Sequence, residues 1–285
     1  MRQLKLTITL IIFICLTANL TAQNSDNYIE YYNLVNEAKA LNAQKLYDSC
    51  LTTYQNAFSK VEYVHNENLR NAAKVCKKLG EKEQKTTYLE RAKSQEKSIN
   101  YTHKSYINCL LKQDQKVRTP KFMKARDFCW HVMRDTTFMP NPKKYAKSKK
   151  LMETWSTTDS MVIELLKQFI AEYGFPGEKM VGSSANSFAT IMILHYDKDT
   201  ANHIMGETLK KALLDGNIAP DRYAWIIDRH LNHTGKPQIY HSIPFRNQNF
   251  TKEEREIINS NRESIGLKKL EEVKIIYRKN SVTVY

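Results

Sequence analysis

The sequence predicts a mainly α-helical protein: a short helical-repeat segment followed by a helical domain with a small C-terminal β element. Three observations predict it. Apolar and small residues recur at three- and four-residue spacings through most of the chain. Two stretches on the N-terminal side share that pattern at an offset of 35 residues. Period-two alternation is confined to two short runs near the C-terminus, residues 273–277 and 282–285, around Lys279-Asn280.

At the start of the chain, Arg2 and Lys5 precede an apolar run over residues 6–16, and a more polar stretch leads to Ala22. Charged, apolar and small-residue regions in that order make a secretory leader. The run falls short of the ~20 apolar residues that span a bilayer, and Asn19 and Thr21 interrupt its extension. A signal peptide over 1–22 is therefore expected, with no transmembrane anchor after cleavage. Cys15 lies inside the apolar run behind Ile14, which argues against a lipidated cysteine. The product is expected to be exported, periplasmic or secreted.

Loss of Arg2 and Lys5 lowers the formal net charge from +14 to +12. Residues 116–150 hold eleven Lys or Arg against only Asp127 and Asp135. Such a patch suits nucleic acid, anionic lipid or acidic polysaccharide, or is simply a solvated face. Export and the lack of a nucleic-acid-binding motif disfavour nucleic acid as a partner, and the solvated face is the expectation. Cys50, Cys76, Cys109 and Cys129 remain after processing. Export permits disulfides, and four cysteines allow three complete pairings. Cys50 and Cys76 also fit as small buried apolar residues.

The repeat aligns Leu34 with Leu69, Ala38 with Ala73, Leu41 with Cys76, Tyr54 with Leu89, and Ala57 with Ala92. Each copy carries two helical stretches, and the alanines let antiparallel helices approach closely. Residues 27–100 thus resemble tetratricopeptide repeats, with Lys85 departing from the pattern where alanine is usual. Two copies need a third unit or a cap, which a helix over 101–116 is expected to supply.

Residues 101–285 read as a helix-rich domain. A looser basic stretch with Pro120, Pro140 and Pro142 comes first. Asp159 is expected to cap a helix carrying Val162, Leu165, Leu166, Phe169 and Tyr173, which Gly174, Pro176 and Gly177 stop. Ser184 opens the next, Asp199 a third ending near Gly216, and Pro220-Asp221 a fourth that closes before Gly235. Thr251 and Glu254 have capping-box spacing for a fifth, closed by Gly266.

Several polar residues attract attention. Asp114 and Arg118 are four apart beside Gln115, the favourable orientation for an exposed helix pair of about 0.3–0.5 kcal/mol. Asp228 and Arg229 follow the apolar Trp225-Ile226-Ile227, so at least one approaches the core and needs a partner, for which Arg118 or His195 is the candidate. His195 fits a general base or acid, and Arg118 or Arg229 an anion clamp. Five of the eight histidines fall between His195 and His241. However, Asp199-Thr200 breaks the face that His195, Asp199 and His203 would share, and His-Glu-x-x-His is absent, so no metal site is expected. Nucleophile-elbow, phosphate-loop and dinucleotide motifs are also missing, and eight glycines leave little for a cofactor loop. No cofactor is expected.

Over residues 106–267 the chain resembles family 6624 of the domains of unknown function, a bacterial family. The resemblance rests on Asp114-Gln115-x-x-Arg118, Gly174-Phe175-Pro176 with Val181-Gly182, and His195-Tyr196-Asp197. It continues in Asp228-Arg229, in Gly235-Lys236-Pro237-Gln238-x-Tyr240, and in Asn261-Arg262-Glu263-Ser264-Ile265-Gly266-Leu267. It implies a polar cluster of Asp114, Gln115, Arg118, His195, Asp228, Arg229 and Gln238. Leu194 stands where members have glutamine, and His241-Ser242-Ile243 where they have Gly-Thr-Gln. These departures lower the expectation of catalysis.

The expectation for function is a non-catalytic exported binding protein whose N-terminal helical segment docks another protein or an envelope component. The alternative is a hydrolase using the His/Asp/Arg set on an anionic or glycan substrate.

Overall fold

The computed structural model describes residues 27–196, 205–243, 249–272, 275–278 and 281–284. The expected leader over 1–22 lies outside the described residues, as do Asp197, Asp199, His203 and the Lys279-Asn280 turn.

Eleven α-helices carry the described chain, which divides into two compact units. The first comprises the described residues up to Lys97 and from Met205 onward. It begins with two helical hairpins, α1 (Asn27–Ala43) with α2 (Tyr47–Ser59) and α3 (Asn66–Leu79) with α4 (Lys82–Lys97). Small residues sit at the contacts, since Ala38, Ala57, Ala73 and Ala92 are all buried. Gly80, at φ 83, ends α3 in the left-handed conformation that glycine adopts without a Cβ penalty. The two copies are not superposable side chain for side chain. Tyr54 is 2% exposed, but its aligned partner Leu89 is 41% exposed, and Tyr88 takes the buried place. The second copy thus reaches Ala92 by a four-residue step where the first reaches Ala57 by three.

This first unit groups residues differently from the expected segments 27–100 and 101–285. Its remaining helices, α9 (Gly206–Leu214), α10 (Pro220–His233) and α11 (Lys252–Glu263), group with the hairpins. The physical reason lies on α1, whose Tyr28 and Tyr32 receive two glycine turns. A Cβ at Gly216 would overlap the Tyr28 ring, and one at Gly266 would lie 2.6 Å from Tyr32 Cβ. Asn36 Nδ2 also donates to the Gly266 carbonyl at 2.9 Å. The C-terminal segment therefore covers α1, and the helix expected to cap the repeat belongs to the other unit.

The second unit, Ser98–Ile204, contains α5 (Tyr101–Gln115), α6 (Pro120–Arg134), α7 (Pro142–Tyr173) and α8 (Glu178–Tyr196). α5 packs on α7 and α8, and α6 on α7. Asn141 caps α7, accepting from Lys144 N at 3.1 Å, with Pro142 at the first helical position. α7 runs 32 residues straight through Asp159, so Asp159 is not a helix start. It is a mid-helix residue, 3% exposed. Gly182, at φ 80 and ψ 161, kinks α8 two residues before Ser184, and the room for its Cβ is taken by Ile99.

The fold class is corrected from helical with a β element to helical. No strand enters the helical body among the described residues. Among the described residues strand backbone is confined to Ile275–Arg278 and Ser281–Val284, an antiparallel pair that no third described strand joins. Two strands alone make no sheet that a domain could be built on. The Thr251–Glu254 capping box forms at the start of α11, with reciprocal bonds of 3.1 and 2.9 Å.

Candidate functional site

The polar residues singled out in the sequence fall into two groups, Asp114, Gln115, Arg118 and His195 in one unit and Asp228, Arg229 and Gln238 in the other. Each group has its own chemistry.

In the first group, α5 delivers Asp114 at its last turn, where the carboxylate is 1% exposed. Arg118 lies just past the helix end, its side chain 12% exposed. The exposed surface pair expected from the sequence is therefore a buried one. Arg118 Nη2 donates to Asp114 Oδ1 at 2.9 Å and to Asp159 Oδ1 at 2.6 Å. Asp159 Oδ2 accepts from Trp155 Nε1 at 3.0 Å, and the guanidinium stacks over the Trp155 ring at 4.6 Å. Gln115 Nε2 donates to Asp114 Oδ2 at 2.8 Å. One nitrogen thus bridges two carboxylates, and a planar guanidinium can also lie flat on an indole.

His195, on the last turn of α8, completes the cluster. Its Nδ1 lies 2.9 Å from Asp114 Oδ1 and 3.3 Å from Arg118 Nε. These two contacts make opposite demands, because Nδ1 must carry a proton to face a carboxylate and lack one to accept from Nε. The shorter contact, to an ionised partner, is the stronger. Nδ1–H therefore donates to Asp114, which leaves Nε2 as the acceptor on a ring that is 25% exposed. Burial raises the Asp114 carboxyl, but the hydrogen bond from His195, the Arg118 charge and the hydrogen bond from Gln115 outweigh it and hold it below its ordinary value. Arg118 Nη1 is buried and has no hydrogen-bond partner among the described residues.

In the second group, Asp228 is 0% exposed on α10. The expected partners Arg118 and His195 are not the ones it takes. Its Oδ1 accepts from the backbone N–H of Ile239 (2.9 Å) and Tyr240 (3.1 Å). Its Oδ2 accepts from the N–H and hydroxyl of Ser242, both at 2.7 Å. Gln238 closes the same loop, donating to the Ile243 carbonyl at 2.9 Å and accepting from its N–H at 3.0 Å. Buried Arg262 donates to the Tyr240 carbonyl at 2.7 Å and to the Lys268 carbonyl. Arg229, next on α10, is half-buried. Among the described residues no group of three or more His, Cys, Asp or Glu is arranged to hold a metal ion.

Residues 141–280 match the family model of DUF6624, a family of unknown function. The match supports the family resemblance. It includes His195, Asp228, Arg229 and Gln238, whereas Asp114, Gln115 and Arg118 precede it. No curated protein and no solved structure matches the chain. His241, which stands where the family resemblance implies glycine, has a φ of 46. A left-handed backbone explains a glycine there and makes histidine a strained replacement. Ser242, which stands for threonine, keeps the hydroxyl that Asp228 accepts from. Leu194, which stands for glutamine, is 3% exposed and belongs to the core.

Sequence reasoning gave no site role to Asp159, Trp155, Ser242 or Arg262. Trp155 and Asp159 carry a legible signal, since an indole donor four residues before a carboxylate shares its helix face. A shallow trough of about 360 Å³ lies along a different face of α7, lined by Lys150, Glu153, Thr154, Thr157, Thr158 and Met161. Among the described residues the cysteines form no bridge, with Cys50, Cys76 and Cys129 buried and Cys109 exposed. None of the described helices is long and apolar enough to cross a membrane.

Proposed function

We propose that this chain is a non-catalytic exported interaction protein, and that its two polar clusters are internal ties. One observation carries the reading: Arg118 is shared by two buried carboxylates, at 2.9 and 2.6 Å. A guanidinium already neutralised twice over is a poor anion clamp, because a further anion would meet a cluster holding two negative charges against one positive. Asp228 is likewise committed, with both oxygens accepting from one loop. The helical hairpins of 27–97 then supply a docking surface of tetratricopeptide type for another protein or an envelope component.

A second reading has its own support. His195 presents a partly exposed Nε2 while Asp114 holds Nδ1 at 2.9 Å, the arrangement that orients an imidazole as a general base. The unpaired Nη1 of Arg118 is a second unused donor. Given the charge balance, a neutral oxygen such as a glycan hydroxyl suits this site better than an anion.

The test is to assay the purified protein on chromogenic ester, phosphate and glycoside substrates beside His195→Gln. Under the interaction reading neither protein turns over, and His195→Gln differs only in thermal stability. Turnover by the parent that His195→Gln abolishes at unchanged melting temperature would overturn it in favour of the second reading.

A further inference from the structure

We propose that α6 and the start of α7 form a docking surface for an anionic lipid membrane, an activity independent of the role assigned to the hairpins. The first observation is three exposed apolar side chains close together in one short segment. Trp130 is 44% exposed, Met133 64% and Met139 89%. They lie on the last turns of α6 and in the turn that follows, whereas Ala125 and Cys129 are the buried residues of α6. Thioether and indole side chains in water gain nothing from that position.

The second observation is charge complementarity. Trp130 is flanked by guanidinium groups four residues away on either side, Arg126 at 4.7 Å and Arg134 at 5.7 Å from the ring. The start of α7 adds exposed Lys143, Lys144, Lys147, Lys149 and Lys150. Neither α6 nor α7 has an acidic residue in its first turn. Lys143 and Lys144 therefore stand at the positive end of the α7 dipole, where cations are unfavourable to the helix. Lys144 also lies 4.3 Å over the Phe128 ring, but both charges are unfavourable to the helix end and favour a negatively charged partner. Tryptophan and flexible apolar side chains between cations match the boundary of headgroup and acyl chain. A soluble polyanion would use the lysines and leave Trp130, Met133 and Met139 in water, which is why the membrane is the better match.

The experiment is co-sedimentation of the purified protein with phosphatidylcholine vesicles, with or without phosphatidylglycerol, followed by tryptophan fluorescence. Binding is expected only with phosphatidylglycerol, with a blue shift that Trp130→Phe removes. Raising salt from low to physiological ionic strength should weaken it roughly tenfold. Lys143→Gln/Lys144→Gln/Lys147→Gln should lower binding on the order of a hundredfold, and Met133→Ser/Met139→Ser about tenfold or more. Lys82→Gln/Lys93→Gln/Lys97→Gln should leave it unchanged, and circular dichroism confirms that each variant is folded. The proposal is overturned by equal binding to neutral vesicles, by equal loss in the two lysine variants, or by binding to heparin without binding to vesicles.

Discussion

Asp159 in the middle of α7 lies 2.6 Å from the guanidinium of Arg118, 41 residues earlier in the chain, and the pair is almost wholly shielded from water. Asp114 lies 2.9 Å from the same nitrogen. Removing the cation would leave two buried carboxylates facing each other. Arg118→Met is therefore expected to cost about 3–5 kcal/mol in urea unfolding. Adding Asp114→Asn and Asp159→Asn should recover much of that loss, because the uncompensated charge rather than the missing contact dominates it. A triple variant no more stable than Arg118→Met would rule this account out.

Asp114 makes that cluster acid-sensitive. His195 and Arg118 hold its carboxyl below the ordinary 3.8 in the folded chain, despite burial. A depressed carboxyl pKa contributes stability above the unfolded value, and that contribution disappears as pH falls through the folded one. The stability gap between the parent and Asp114→Asn should thus be widest near neutrality and narrow below about pH 4, the range of an unfolded aspartate. Thermal unfolding followed from pH 7 downward checks the sign.

How much of this was legible in the sequence depends on the range of the forces involved. Helix content, the Thr251–Glu254 box, and the stops at Gly174 and Gly235 follow from local geometry and capping, and they are found where expected. Cys50 and Cys76 are each 0% exposed, as small apolar residues on a packed face should be. Partner choice was not legible. Asp159 looks like a cap because aspartate favours helix starts, but a tertiary cation and Trp155 hold it inside α7. Asp228 needed a partner, and it found backbone N–H groups, which leave no mark in a sequence. The return of 205–285 to α1 depends on two glycine turns whose contact with Tyr28 and Tyr32 is set more than 180 residues away.

Those turns separate two effects of a glycine. Gly80 and Gly266 both have positive φ, but Gly80 has nothing within 4 Å of the position its Cβ would take. Gly80→Ala should therefore cost only the left-handed backbone penalty, about 1–2 kcal/mol. Gly266→Ala adds a Cβ at 2.6 Å from Tyr32 and 3.2 Å from the Ile29 carbonyl, so overpacking adds a further 1–3 kcal/mol or so. Equal losses in denaturant melts would show that the C-terminal turn does not seat on α1 as described.

Asp228 offers the sharpest local test. Four hydrogen bonds from Ile239, Tyr240 and Ser242 converge on one buried carboxylate. In Asp228→Ala three backbone N–H groups lose their acceptor, and stability should fall by about 3 kcal/mol or more. Ser242→Ala removes a hydroxyl only and should cost about 1 kcal/mol. The loop also has an independent tie, since Arg262 donates to the Tyr240 carbonyl at 2.7 Å. Both ties act on the same few residues, so Asp228→Ala and Arg262→Met should be non-additive, with the double variant less damaged than the sum. Chymotrypsin gives a readout confined to the loop. Tyr240 is 9% exposed in the parent and should resist cleavage there, whereas Asp228→Ala should be cut after Tyr240 well below the unfolding midpoint. Strict additivity, with no gain in cleavage at Tyr240, would mean that Asp228 stabilises the unit without holding this loop.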